Sequence, residues 1–224
     1  MRTTNVIQPN SSTHSGKLSG ETFATLINLS GRRRFTSQRV VLYAVLASGE
    51  DPDALATARE ALKLFRDAHT ALVKGNDALP GVFSDELHMA YFGPESGDKK
   101  IQAFIDLAER TFIAIESNWR QRSDFLKELI ASTTPLLAVL NSITAIYEKE
   151  ARSHANSVKN QLQDVMSEIQ DISKQAHMVA FNAQIIAARA GNAGREFTVV
   201  ANVMTSITAE IDKLVQAALS KAAA

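Results

Sequence analysis

The fold of this 224-residue chain is decided by residues 162–218, which read LQDVMSEIQDISKQAHMVAFNAQIIAARAGNAGREFTVVANVMTSITAEIDKLVQAA. Apolar residues recur here at alternating spacings of three and four, which is the heptad pattern of a coiled coil. The first seam is Leu162, Val165, Ile169, Ile172, Ala176, Val179, Ala183, Ile186 and Ala190, and the second is Phe197, Val200, Met204, Ile207, Ile211, Leu214 and Ala218. Gly191 and Gly194 lie at the interruption between the seams. The stretch therefore predicts an antiparallel helical hairpin with its tip at 191–194.

The rest of the chain is also predicted to be helical. Aromatic residues make up only 6% of it and there are five prolines, so the composition favours an all-α fold over sheets. Helical spacing predicts helices over 21–48, 54–74 and 98–117 and from 120 onward. Residues 84–98 are predicted to be a loop, with room for one helical turn inside it. Four helices with short connections predict an antiparallel four-helix bundle. We expect a disordered tail at 1–19, the bundle at 20–150 and the hairpin at 151–224.

Composition excludes several classes of protein. The 24 Lys and Arg balance 24 Asp and Glu, so no excess of positive charge favours binding to nucleic acid. With no cysteine and five scattered histidines we expect neither a metal site nor a cofactor, and no catalytic motif indicates an enzyme. The polar opening does not resemble a signal peptide, and no apolar run approaches the roughly 20 residues that span a bilayer. We therefore expect a cytoplasmic protein that does not enter the membrane.

The first predicted helix concentrates positive charge. Residues 21–47 contain four arginines against one glutamate. At helical spacing, its inward stripe is predicted to be Phe23, Ile27, Ser30, Arg34, Ser37, Val41 and Ala44, with Arg32 and Arg33 pointing elsewhere. A buried guanidinium is costly unless it is paired, so a carboxylate or a bound anion should meet Arg34. If the protein dimerises along this helix, two copies of Arg34 approach each other, and a small anion between them would relieve their repulsion.

Residues 27–39, INLSGRRRFTSQR, carry a family resemblance. They resemble the NLSGRQRMLSQR signature of PilJ-type transducers of type IV pili chemotaxis and, more distantly, the P-box of nitrate-sensing histidine kinases. Arg33, Phe35 and Thr36 depart from the first pattern. The resemblance covers roughly residues 21–147 and implies that nitrate or nitrite binds at a dimer interface, gripped by Arg34. The implied ligand-binding residues are Arg34, Gly31, Ser30, Ser37, Gln38 and Arg39.

A second resemblance covers residues 175–207. Asn182, Ala183, Ile185 and the runs 187–191, 193–195 and 199–201 look like the signalling tip of methyl-accepting chemotaxis receptors. That family implies a dimeric hairpin whose tip docks a histidine kinase and its coupling protein, here through Asn182, Ile186, Arg189, Arg195 and Val199. The sequence departs from the family at Ile186, where glutamate is usual, and at Lys174, Asn202 and Val203. A dedicated regulatory partner is therefore an open alternative to the kinase.

The sequence leads to one main hypothesis and one alternative. The main hypothesis is a soluble, homodimeric, cytoplasmic sensor that binds a small anion in its bundle and relays that event through the hairpin to a partner protein. The alternative is an adaptor that binds no ligand and joins or modulates assemblies of chemoreceptors and kinases.

Overall fold

A computed structural model describes residues 18–49, 51 and 53–223, and their side chains up to residue 220. This part of the chain contains six α-helices, one 3₁₀-helix and no strand, which confirms the all-α fold class. The helices are α1 (Gly20–Ser48), α2 (Ala54–Lys74), α3 (Asp85–Phe92), α4 (Gly97–Glu116), α5 (Arg122–Arg189) and α6 (Arg195–Ala223). The 3₁₀-helix (Gly191–Gly194) lies between α5 and α6, where the tip of the hairpin is predicted. Residues 1–17 of the predicted disordered tail lie outside the described residues.

The short helix α3 replaces part of the predicted loop at 84–98. It begins after Ser84, whose side-chain Oγ accepts a hydrogen bond from the backbone N–H of Leu87 at 3.3 Å, as a helix N-cap does. Leu87 and Tyr91 on α3 are fully buried. With only eight residues, α3 is too short for a clear helical periodicity, so its cap and burial are what identify it.

The described residues form two compact units, which meet between Arg152 and Ser153. In the first unit, α1, α2, α4 and the part of α5 before Arg152 share one apolar core, to which α3 adds two residues. Its largest fully buried apolar members are Tyr91, Tyr147, Phe65, Phe112, Leu26, Leu72, Leu87, Ile101, Leu129, Leu140 and Ile143. Arg33 of α1 is also fully buried and is as large as these residues. Among the described residues, it is the one charged side chain in this group.

The expectation that no apolar run is long enough to span a membrane is wrong for helix α5. An 18-residue window of α5 has a mean hydropathy of 1.6, so by length and composition it could cross a bilayer. Residues 129–147 carry no charged side chain. Serines and threonines interrupt the apolar residues there, so the sequence shows no unbroken apolar run although the mean hydropathy is high. Leu129, Leu136 and Leu140 from this stretch lie in the core of the first unit, which is where a bundle helix places its apolar face.

The second unit contains the hairpin, and its two arms meet through small residues. The buried positions recur every seven residues and are Ser173, Ala180, Ala187, Gly194, Ala201, Thr208 and Val215. At six of its sixteen places, the predicted seam was therefore wrong by one position. Ile169, Ala176, Ala183, Met204 and Ile211 are half-buried, but the larger members Ile172, Val179, Ile186, Phe197, Val200, Ile207 and Leu214 are all more than half exposed.

Close approach of the arms explains this arrangement. A Cβ on Gly194 would collide with the carbonyl oxygen of Ala187, so no larger residue fits there without moving the backbone. Farther along the arms, Ser173 Oγ donates a hydrogen bond to the carbonyl oxygen of Thr208 at 3.2 Å. Gln184 Nε2 donates to Asn202 Oδ1 at 3.0 Å. The small residues hold the two arms together and leave the large apolar residues on the outside of the hairpin.

Candidate functional site

The inward stripe of α1 differs from the predicted one by one residue in every second turn. Leu26, Arg33 and Val40 are fully buried, whereas Ile27, Arg34 and Val41 are only half-buried. Ser30, Ser37 and Ala44 are buried as predicted. The sequence offers the same kind of residue at both neighbours in each case, so helical spacing alone could not choose between them. The prediction that Arg34 occupies the core and Arg33 points elsewhere is therefore wrong.

The guanidinium of Arg33 lies inside the bundle, and no carboxylate of the described residues pairs with it. Its Nη2 donates to Ser30 Oγ at 3.1 Å, and its Nη1 lies 3.2 Å from His69 Nδ1. Its Cζ lies 5.7 Å from the centre of the Tyr91 ring, within range of a cation–π interaction. Among the described residues, nothing accepts a hydrogen bond from its buried Nε. This charge is therefore stabilised by dipoles and an aromatic face, because no ion pair forms there.

The contact with Arg33 determines which ring nitrogen of His69 on α2 carries the proton. A guanidinium can only donate, so His69 Nδ1 must accept, and the ring proton sits on Nε2. Nε2 then donates to Asp98 Oδ1 at 2.9 Å, at the start of α4. Burial and, next, the positive charge of Arg33 lower the pKa of His69 from 6.5 to about 4, although Asp98 acts in the opposite direction. His69 is therefore neutral at neutral pH, and the three side chains link α1, α2 and α4.

Arg34 lies at the edge of the bundle. Its Nη1 donates to Asn141 Oδ1 of α5 at 3.2 Å. A Cβ built on Gly31 would lie 3.7 Å from Arg34 Nη2, and within 4 Å it would meet no other described atom outside the backbone of its own helical turn and the two adjacent residues. Glycine in a helix interior costs about 1 kcal/mol relative to alanine, and nothing within the protomer requires it at this position. Gly31 and Arg34 thus share an open surface of α1.

The other predicted ligand-binding residues divide between the core and the surface. Ser30 Oγ lies 2.8 Å from Thr144 Oγ1, and Ser37 Oγ donates to the carbonyl oxygen of Arg34 at 2.8 Å; both serines are fully buried. Gln38 is exposed, one turn beyond Arg34. Arg39 is half-buried, with its Cζ 5.5 Å from the centre of the Tyr43 ring. The structure brings Gly31, Arg34 and Gln38 to one surface and turns Ser30 and Ser37 away from it.

Positive charge on α1 is not neutralised within the protomer. In the part of the chain that the structure describes, no salt bridge joins Arg32, Arg33, Arg34 or Arg39 to a carboxylate. The seven ion pairs found there between Lys or Arg and a carboxylate lie elsewhere. A positively charged guanidinium attracts small anions. Because no carboxylate of the described residues pairs with Arg34, an anion could bind to it without first breaking an ion pair.

The five predicted partner-binding residues of the hairpin tip are all exposed. They are Asn182, Ile186, Arg189, Arg195 and Val199. Ile186, which replaces the usual glutamate, is 67% exposed beside Phe197, which is 69% exposed. Both line an open apolar cavity of about 340 Å³ with alanines and Gly194. The tip therefore presents an apolar surface with two arginines nearby.

Sequence reasoning missed the residues that α5, α2 and α4 contribute around α1. Asn141 and Thr144 of α5 contact Arg34 and Ser30 respectively, and His69 of α2 contacts Arg33. His69 already lies on the apolar stripe of α2, which was a signal for a buried polar partner. Asn141 is the one carboxamide in the uncharged stretch 129–147, which was the signal available for it.

The lowered pKa of His69 predicts a specific loss of stability in acid. Below pH 6.5 the unfolded chain gains a proton on this histidine, whereas the folded chain gains it only near pH 4. Stability should therefore be unaffected above pH 6.5 and fall between pH 6.5 and 4, by about 3 kcal/mol in all. Urea unfolding monitored by the single tryptophan, Trp119, reports on the first unit and measures this change.

The matched variants isolate the contribution of His69. His69→Gln keeps a neutral donor and acceptor but cannot take up the proton, so its stability should depend less steeply on pH in this window. His88→Gln, at an exposed histidine of α3, is the control and should retain the wild-type slope. An identical slope in His69→Gln and wild type would contradict the assignment.

Two known protein families match the chain, over stretches that overlap at residues 127–146. Residues 19–146 match the profile of the PilJ family, described as the type IV pili methyl-accepting chemotaxis transducer N-terminal domain. Residues 127–217 match the methyl-accepting chemotaxis protein signalling domain. No curated protein and no solved structure matches the chain. Both matching families are signal transducers, and the first profile covers more than half of the sequence. The protein therefore belongs to the PilJ family of chemotaxis transducer N-terminal domains and carries a chemoreceptor-type signalling hairpin.

Proposed function

We propose that this protein is a homodimeric cytoplasmic sensor that binds nitrate or nitrite at Arg34 and signals through its hairpin to a chemotaxis coupling protein and histidine kinase. The observation that carries the proposal is the guanidinium of Arg34, which lies beside the open surface of Gly31 and whose one hydrogen-bond partner among the described residues is the uncharged amide of Asn141. A small anion would supply the missing negative charge. Nitrate and nitrite are favoured by the resemblance of residues 27–39 to nitrate-sensing proteins.

The outer face of α1 supports dimerisation along this helix. Residues at alternating spacings of three and four form a second stripe, opposite the core: Ala24, Asn28, Gly31, Phe35, Gln38, Leu42 and Val45. Phe35 is 64% exposed and Leu42 is 56% exposed. Large apolar residues repeated on an exposed helical stripe favour a partner helix. We call this set the outer stripe of α1, and we infer that a second copy of the chain packs against it.

Dimerisation along the outer stripe would place the anion between two protomers. Arg34 flanks the stripe next to Gly31 and Gln38, so two copies of Arg34 would approach each other across the twofold axis. Their mutual repulsion would make the empty dimer less stable than the occupied one. The anion would therefore bind more tightly to one packing of the helices than to another, which is what a ligand must do to shift a conformational equilibrium.

The hairpin supports the output part of the proposal. Its large apolar residues, such as Ile172, Val179 and Ile207, lie outside the seam between its own arms and are more than half exposed. They suit the packing of two hairpins into a four-helix coiled coil, which would leave the tip free for another protein. The chemoreceptor signalling profile indicates the kinase and its coupling protein as that partner. A histidine kinase uses ATP, so this output belongs in the cytoplasm.

The alternative function is an adaptor that binds no ligand. The apolar tip formed by Ile186 and Phe197 favours it, because this surface could bind a dedicated partner without any signal from the bundle. The two functions differ in whether the first unit responds to anions. They share the same surface at the tip.

An anion panel followed by thermal unfolding tests the proposed ligand. At a nitrate concentration 100-fold above Kd, binding should stabilise the folded protein by about 2.7 kcal/mol, which raises Tm by several degrees. Arg34→Ala should abolish this rise. Arg32→Ala is the matched control and should retain most of the rise, since Arg32 is an exposed arginine of α1 that, among the described residues, pairs with no carboxylate. No response to nitrate, nitrite or any other small anion at millimolar concentration would leave the adaptor as the better account.

Crosslinking tests the outer stripe directly, because the chain contains no cysteine. In Phe35→Cys the two thiols of a dimer would lie near the twofold axis, so mild oxidation should produce a covalent dimer within minutes on a non-reducing gel. Met89→Cys is the control: Met89 of α3 is 56% exposed but lies off the stripe, and it should remain monomeric on the gel. Equal crosslinking of the two variants would exclude the outer stripe as the dimer interface.

A further inference from the structure

We propose that Asn141 of α5 forms the second half of the anion site, with its side-chain amide N–H donating to the same anion that Arg34 binds. This inference rests on the proposed function and adds to it a residue from a different helix. The starting observation is the contact between the two side chains, in which Arg34 Nη1 and Asn141 Oδ1 are 3.2 Å apart.

The contact fixes the orientation of the Asn141 amide. Arg34 has only donors, so the atom that faces it must be the oxygen Oδ1. The nitrogen Nδ2 then carries two N–H groups, and no described residue accepts a hydrogen bond from either. Asn141 is exposed, so these donors are accessible beside the guanidinium. One positive donor and one neutral donor therefore lie next to each other at the edge of the bundle.

The surroundings of Asn141 favour an anion at these donors. Residues 129–147 of α5 carry no charge, and Asn141 is their one carboxamide. The next carboxylate toward the hairpin is Glu148, seven residues or roughly 10 Å farther along the helix. No acidic side chain of this stretch competes for Arg34. If residue 141 were an aspartate, it would form an ion pair with Arg34 and exclude an anion.

The geometry also favours one class of anion. A guanidinium presents parallel N–H groups that match two oxygens of a planar oxyanion, and the amide of Asn141 can serve a further oxygen. Nitrate, nitrite and small carboxylates have this shape. Chloride has a single centre and cannot use both sets of donors equally well. Asn141 would therefore raise the preference for a planar oxyanion over chloride.

Binding to Asn141 would connect the ligand to the output helix. Asn141 lies one turn before Thr144, whose Oγ1 forms the buried 2.8 Å hydrogen bond with Ser30 of α1. The two contacts hold α1 against α5, and α5 is the helix that continues into the hairpin. An anion that bridges Arg34 and Asn141 would change the outer contact while the buried one stays in place.

Isothermal titration of the full-length protein with sodium nitrate, repeated with sodium chloride, tests the inference. Asn141→Ala should weaken nitrate binding about tenfold and chloride binding much less, because only the oxyanion uses both donors. Asn141→Asp should abolish nitrate binding, since its carboxylate would pair with Arg34. Ser142→Ala is the matched control: Ser142 is the next exposed residue of α5 and lines a cavity beside α4, and its replacement should leave both affinities unchanged.

The outcomes separate the inference from the proposed function. If wild type binds nitrate, Arg34→Ala does not, and Asn141→Ala binds as wild type does, then the role of Asn141 is overturned and the Arg34 site stands. An equal loss of nitrate and chloride affinity in Asn141→Ala would also overturn it, because a merely structural effect would act on both anions. If wild type binds neither nitrate nor, in the same titration, nitrite, or if Arg34→Ala binds the anion normally, the proposed site itself fails and the role of Asn141 fails with it.

Discussion

The buried guanidinium of Arg33 is the constraint on which the arrangement of the first unit depends. A charge without a carboxylate partner is tolerated in a core only if dipoles surround it, and here Ser30, His69 and Tyr91 do so. These partners come from α1, α2 and α3, and Asp98 of α4 orients the histidine. Any rotation of α1 about its axis would remove Arg33 from this set. The rotation of α1 is thereby fixed.

The fixed rotation of α1 determines which of its side chains are exposed on the surface of the first unit. With Arg33 inside, Arg34 is placed at the edge against Asn141, and Phe35 and Leu42 face outward. A basic helix in a chain of zero net charge therefore presents the guanidinium of Arg34 beside the outer stripe. In the hairpin, too, packing between helices determines which residues remain exposed. Its small residues join the two arms, and its large residues face outward, where a second copy or a signalling partner can pack.

The sequence was sufficient for five of the six α-helices in the described residues and for the tip of the hairpin. It was not sufficient for the short helix α3, nor for the side of α1 and of the hairpin arms that becomes buried. On α1 the pairs Leu26–Ile27, Arg33–Arg34 and Val40–Val41 repeat the same chemistry at adjacent positions. A rotation of about 100° therefore changes nothing in the apolar pattern. On the hairpin, an alanine or serine follows each large residue at Ile172, Val179 and Ile186, and it is the smaller one that is buried. The short distance between the two arms decides which of the two adjacent residues is buried. Asn141 could not be assigned because its partner lies 107 residues away in sequence.

The central claim is that one anion binds between two copies of Arg34. The number of nitrate ions bound per chain, measured by titration calorimetry at a protein concentration well above Kd, tests it most directly. A shared site on the twofold axis predicts one nitrate for every two chains. One nitrate per chain would place the anion within a protomer and contradict a shared site. No measurable binding would contradict the role of the first unit as an anion sensor.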